Sequence, residues 1–159
     1  MAELTAAVLT VSDSSARGER EDLSGPAVKA ILEQNGFLIV AAELVRDHQP
    51  DIEVRLMELC HKARLVVTTG GTGIAERDLT PEATLNVADR VVDGVAERMR
   101  SEGLKKTPFA ALSRGLCAVR GRSLMLNLPG SPSAAAESLA AVIEILPHAL
   151  DLLDGKTQH

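Results

Sequence analysis

The sequence predicts an α/β fold: a three-layer α/β/α sandwich whose sheet is mostly parallel and carries an antiparallel hairpin at its edge. Three observations lead there. Short apolar, β-branched runs alternate with longer stretches whose apolar residues recur at helical spacing. Prolines stand at helix starts, in Gly25-Pro26, Pro50, Thr80-Pro81 and Ser131-Pro132. Two strand-like runs flank Gly121 near the C-terminal end, the pattern of a hairpin.

The elements follow in order. Residues 5–11 form an apolar strand running into Ser12-Asp13. Residues 13–24 are polar, contain Gly18 and read as a loop. A helix from Gly25-Pro26 places Val28, Ile31 and Leu32 on one face and ends at Asn35-Gly36. Residues 37–45 are the second strand, closing on Arg46-Asp47. Pro50 opens a helix with Ile52, Leu56 and Leu59 at i, i+4 and i+7. Residues 64–69 are the third strand. A helix capped by Thr80 runs to about Asp89, and another spans about 94–102. The hairpin occupies 117–128. Ser131-Pro132 then starts the last helix, with Leu139, Val142, Ile143 and Leu146 as its stripe and Pro147 expected to kink it. No linker or repeat interrupts the 159 residues, so a single domain over 1–159 is expected.

Composition narrows the function classes. The 45 % apolar content and strong periodicity exclude wholesale disorder. No apolar run is long enough to cross a bilayer, and the first residues carry no basic-then-apolar leader, so a cytoplasmic, membrane-free protein is expected. A formal charge of -5, with no Trp or Tyr and only Phe37 and Phe109, argues against nucleic-acid binding. Cys60 and Cys117 read as buried structural thiols. His48, His61, His148 and His159 show no metal-ligand spacing.

The richest stretch is Thr68-Thr69-Gly70-Gly71-Thr72-Gly73-Ile74-Ala75-Glu76-Arg77-Asp78-Leu79-Thr80-Pro81. It reads as strand, glycine loop, acidic residue and new helix. Glycines let a ligand approach bare backbone, and helix N-termini favour anions, phosphate above all. Asp78 stands where it can meet a metal or cation. No lysine follows the glycines as in a Walker A loop, and the spacing is not that of a dinucleotide fold. In open α/β sheets ligands bind beyond the carboxyl ends of the strands. There Ser12-Asp13, Asp47, loop 70–78 and Asn127-Leu128-Pro129-Gly130-Ser131 would gather.

Taken together, Ser12-Asp13, Gly70-Gly71-Thr72-Gly73, Arg77-Asp78-x-Thr80-Pro81-Glu82-Ala83 and Asn127-Leu128-Pro129-Gly130-x-Pro132 resemble the molybdopterin adenylyltransferase family of molybdenum cofactor biosynthesis, over roughly residues 4–155. The resemblance implies transfer of AMP from ATP to the terminal phosphate of molybdopterin, with pyrophosphate released. It implies Asp47 and Asp78 as the catalytic and Mg²⁺-binding carboxylates. Ser12, Asp13, Gly70, Gly71, Thr72, Gly73, Asn127, Pro129, Gly130 and Ser131 would line the substrate and nucleotide pockets. Ser113 or Arg114 would contact phosphate or pterin. It further implies ATP with Mg²⁺, no bound prosthetic group, a homotrimer, and a downstream metal-insertion protein as a possible partner class. The family also includes relatives without turnover, so a non-catalytic pterin-binding scaffold stands as the alternative, and a nucleotide hydrolase as a weaker one.

Overall fold

The computed structural model describes residues 2–156. His159 lies outside them. A six-stranded sheet is built from β1 (Thr5–Val11), β2 (Leu38–Val45), β3 (Leu65–Thr69), β4 (Arg90–Val91), β5 (Cys117–Arg120) and β6 (Ser123–Leu128). The order is β2-β1-β3-β6-β5-β4. β2, β1, β3 and β6 are mutually parallel, while β5 and β4 run antiparallel at one edge.

The helices are α1 (Asp13–Ala16), α2 (Ser24–Gln34), α3 (Gln49–Lys62), α4 (Thr80–Val87), α5 (Asp93–Leu104), α6 (Pro132–Val142) and α7 (Leu146–Leu153). Alternation of side chains along β1 decides which helices cover which face. Ala6 and Val8 join a core with Val28, Leu32, Met99, Leu139 and Leu146, from α2, α5, α6 and α7. Ala7, Leu9 and Val11 join a second core with Ile52, Leu56, Leu59, Ala83 and Val87, from α3 and α4. β1, β3 and β6 are buried along their whole length, as strands covered on both faces must be. Each fully buried Leu, Ile or Met there contributes about 1.5–3 kcal/mol of transfer free energy. This is the expected three-layer sandwich.

Several details differ from the sequence reading. The 13–24 segment is not all loop: Ser12 accepts from the Ser15 amide and caps the short α1. The second hairpin strand, β6, is not at the edge. It pairs in parallel with β3, and the two-residue β4 forms the rim beyond β5. The last helix breaks before Pro147, through a 3-10 turn at Ile143–Ile145, and Pro147 sits in the first turn of α7, where its missing amide costs nothing. Pro108–Leu112 forms a 3-10 turn capped by the Thr107 hydroxyl. Cys117 is buried and Cys60 half-buried, and burial pushes their thiols up to about 12 and about 11. Both are therefore held as inert thiols. Among the described residues no helix is long and apolar enough to cross a membrane.

Candidate functional site

Because β2, β1, β3 and β6 are parallel, their carboxyl ends emerge along one edge of the sheet. Strand order reverses at β1, which has β2 on one side and β3 on the other. Such a switch point opens a crevice. A cleft of about 740 Å³ lies at this edge. One wall is Gly71, Thr72, Gly73 and Asp78 with Asn127, Pro129 and Gly130. The opposite wall comes from α5, the 108–112 turn and α6, and includes Met99, Phe109 and Leu112.

The glycine loop is locked from beneath. The Gly70 amide donates to the Leu128 carbonyl at 3.1 Å, and the Thr80 hydroxyl donates to the Gly70 carbonyl at 2.9 Å. Gly70 and Gly71 have φ of 92° and 69°, a region that penalises any side chain. A Cβ on Gly70 would strike the Val11 carbonyl, and one on Gly71 would strike the Thr80 hydroxyl. A Cβ on Gly73 would lie 2.8 Å from Asp78 Oδ2. The glycines thus serve close packing of backbone, hydroxyl and carboxylate. Among the described residues no acceptor takes up the amides of Gly71, Thr72 or Gly73. Thr72 is buried, so its amide cannot be dismissed as a solvated loop group.

The neighbouring helix end is different. The Thr80 amide donates to the Gly71 carbonyl, Pro81 has none, and the Ala83 amide donates to the Leu79 carbonyl. Thr80 is not the cap expected of it: the helix is capped at Leu79 without a side-chain bond, and the Thr80 hydroxyl braces the loop instead. The Glu82 amide lies against its own carboxylate, so the unpartnered amides of this region are those of the loop and not of the helix N-terminus.

Asp47 and Asp78 approach the loop from two sides. Asp47 Oδ2 accepts the Asp13 amide at 3.0 Å, while the Asp47 amide donates to Asp13 Oδ1 at 2.9 Å. This reciprocal pair ties the end of β2 to the start of α1. Asp47 Oδ1 reaches to 3.5 Å from the Cβ position of Gly71. Asp78 Oδ2 accepts the Ala75 amide at 3.0 Å. Each carboxylate spends one oxygen on a backbone amide, and the other has no hydrogen-bond or ion-pair partner among the described residues. Burial pushes the Asp47 carboxyl above the usual range. The charges of Asp13 and Asp78 add to that, and Arg77 opposes it. A negative charge held under such pressure favours a nearby cation. The described residues contain no cluster of three acidic, His or Cys side chains at metal-binding distance. Mg²⁺, however, typically takes only one or two carboxylates, completing its shell with phosphate oxygens and water, so this donor set fits it.

The remaining expected residues divide. Gly71, Thr72, Gly73, Asp78, Asn127, Pro129 and Gly130 line the cleft; Ser12, Asp13, Asp47, Gly70 and Ser131 do not. Asn127 is 1 % exposed and its carboxamide is spent inside: Nδ2 donates to Thr68 and Thr84 hydroxyls at 3.1 and 3.0 Å, and Oδ1 accepts the Leu116 amide at 3.1 Å. The Ser131 hydroxyl caps α6 by accepting the Ala134 amide. Ser113 lines the cleft, whereas Arg114 does not: its guanidinium bonds the Gly73 and Asp78 carbonyls and Glu82. The sequence reading missed the apolar wall of Met99, Phe109 and Leu112. A lone aromatic in the polar stretch 105–114 was the available signal for it.

Comparison with known proteins places this architecture. A family profile described as "Probable molybdopterin binding domain" matches residues 7–148. The molybdopterin adenylyltransferase of Helicobacter pylori is 43 % identical over 152 residues, covering 93 % of this chain and 86 % of that protein. The molybdopterin adenylyltransferase of Escherichia coli is 37 % identical over 174 residues, covering 98 % and 88 %. The crystal structure of the molybdopterin biosynthesis enzyme MoaB from Thermus thermophilus superposes with a TM-score of 0.88 at 52 % identity, covering 96 % of this chain and 97 % of that one. The chain belongs to the molybdopterin-binding domain family.

Proposed function

We propose that this protein is a nucleotidyltransferase of molybdenum cofactor biosynthesis that adenylylates molybdopterin. An oxygen of the pterin's terminal phosphate attacks the α-phosphorus of ATP. The bond from that phosphorus to the bridging oxygen breaks, and pyrophosphate leaves with the electron pair. The observation that carries this reading is the row of unpartnered amides at Gly71, Thr72 and Gly73 beside two carboxylates that each keep one oxygen uncommitted.

The chain's own groups suit the chemistry. The attacking phosphate is largely ionised at neutral pH because its second pKa is about 6, so no side chain needs to take a proton from it. The loop amides hold phosphate oxygens in place, and their fixed dipoles need no reorganisation as charge shifts toward the leaving group. Asp47 and Asp78 would hold Mg²⁺, which when bound with the nucleotide neutralises the crowded phosphates. Retention of both carboxylates with open oxygens favours this reading over a turnover-free scaffold.

The test is direct. The protein mixed with Mg-ATP and molybdopterin is expected to form adenylylated pterin and pyrophosphate in equal amounts; pterin binding without either product would favour the scaffold. We also propose a cytoplasmic homotrimer that acts as a single domain. Light scattering is expected to return three times the 16.8 kDa chain mass, and a monomer mass across micromolar concentrations would contradict it.

A further inference from the structure

Arg114 lies in the irregular segment between the 108–112 turn and β5, forty residues from the glycine loop in sequence, yet it makes more bonds to that loop than any other side chain. Its amide donates to the Thr72 carbonyl at 2.8 Å. Its Nε donates to the Gly73 carbonyl at 2.8 Å, and one terminal nitrogen donates to the Asp78 carbonyl at 2.7 Å. The guanidinium also pairs with Glu82 on α4, at 2.5 and 3.2 Å. The segment is itself held: Arg100 on α5 donates to the Ser113 and Gly115 carbonyls at 3.2 and 3.1 Å, on either side of Arg114.

The two carbonyls bracket an exposed tip. Residues 74–77 are all solvent-exposed, with Ile74 at 70 %. Such a tip, left to itself, belongs to the low-stability end of a fold. Bonds from one rigid fork to Gly73 and Asp78 fix the distance between the two ends of that tip. They also fix the backbone that carries the Asp78 carboxylate into the cleft. The Arg114–Glu82 pair is more than a third exposed on both partners and by itself is worth little. Glu82 instead orients the guanidinium, and that pairing holds the Glu82 carboxyl below the usual range. Only a planar fork with several donors can span two carbonyls and a carboxylate at once; a lysine ammonium cannot.

We propose that Arg114 is a positioning residue: it staples the glycine loop closed at its base and thereby sets the Asp78 carboxylate for adenylyl transfer. The catalytic half of this inference rests on the function proposed above; the structural half does not.

The experiment pairs hydrogen exchange with steady-state kinetics on Arg114→Ala, Arg114→Lys and Glu82→Gln. In Arg114→Ala and Arg114→Lys the Ala75 and Asp78 amides, which bond within the loop, are expected to exchange at least about 10-fold faster while amides of β1 and β3 keep wild-type rates. kcat should fall on the order of 10²-fold, as misplacement of a reacting group by about 1 Å does, with a smaller change in the KM for ATP. Guanidinium ion should partly restore Arg114→Ala. Glu82→Gln, which keeps an acceptor for the fork, should stay within about threefold of wild type. Wild-type loop protection in both Arg114 variants would overturn the staple, as would a uniform rise in exchange over the whole sheet. Unchanged kcat with a loosened loop would overturn the catalytic half. A wild-type protein that forms no adenylylated pterin would remove the function proposed above, while the exchange measurement would still decide the staple.

Discussion

Two loops sit side by side at the carboxyl ends of β3 and β6, and they use similar residues to opposite ends. Loop 70–78 leaves the amides of Gly71, Thr72 and Gly73 without internal acceptors and leaves one oxygen on Asp78 uncommitted. The 127–131 stretch, the end of β6 and the turn after it, spends its polar side chains on internal bonds: Asn127 makes three bonds to neighbouring elements, and the exposed Ser131 caps α6. Its Leu128 carbonyl receives the Gly70 amide, so the second loop supports the first. Both loops look equally ligand-like in the sequence. Their hydrogen bonds separate them: the first keeps free amides, the basis of the ligand role proposed for it, and the second supports the first.

The largest expected effect tests the ligand side. Asp78→Asn keeps the shape and removes a full charge, so AMP-pterin formation should fall on the order of 10²-fold or more while the thermal midpoint changes little. Asp47→Asn should do the same, and the two losses should not add if both carboxylates serve one metal. Full turnover in either variant would end the metal role.

Asp47 also carries a pH signature. Burial, first of all, holds its carboxyl above the usual range. Between the ordinary carboxylate pKa and this raised value, the folded chain keeps a proton that the unfolded chain has lost. Stability therefore falls as pH rises through that window and levels off above it. Asp47→Asn should flatten this slope and melt at or above wild type at neutral pH. A marked loss of stability there would recast Asp47 as a scaffold residue.

Gly71→Ala comes next. Positive φ and the Thr80 hydroxyl both oppose a Cβ, so a loss of about 1–3 kcal/mol is expected in denaturant melts, together with loss of nucleotide binding. On the supporting side, Asn127→Leu should cost about 1–3 kcal/mol, because the half-buried Leu116 amide loses its side-chain acceptor and the buried Thr68 and Thr84 hydroxyls lose a donor. The folded fraction of this variant should keep more activity than Asp78→Asn. The reverse ranking would break the division between the loops. The smallest effect is expected of Thr80→Val, about 1 kcal/mol for one buried bond to Gly70.

What was legible in the sequence follows from how local each signal is. β1 and β3 announced themselves because burial on both faces demands continuous apolar, β-branched runs. The glycine loop was visible because few other residues tolerate its backbone. β4 was not, since two residues carry no periodicity, and Arg90 and Val91 become a strand only by pairing with Val119 and Ala118. α1 left a signal that was passed over, a Ser12 cap ahead of an acidic first turn. The interior roles of Asn127 and Arg114 were hidden for a different reason. Their partners lie 59 and 41 residues away in sequence, and polarity alone does not tell a ligand contact from a satisfied core group.

Amide chemical shifts during a titration of the wild-type protein with Mg-ATP test the division between the loops most directly. The account predicts that the Gly71, Thr72 and Gly73 amides move most, saturating together. The Leu116 and Ala134 amides, bonded to Asn127 and Ser131, should stay in place. Stationary glycine-loop amides alongside displaced Leu116 and Ala134 amides would contradict it.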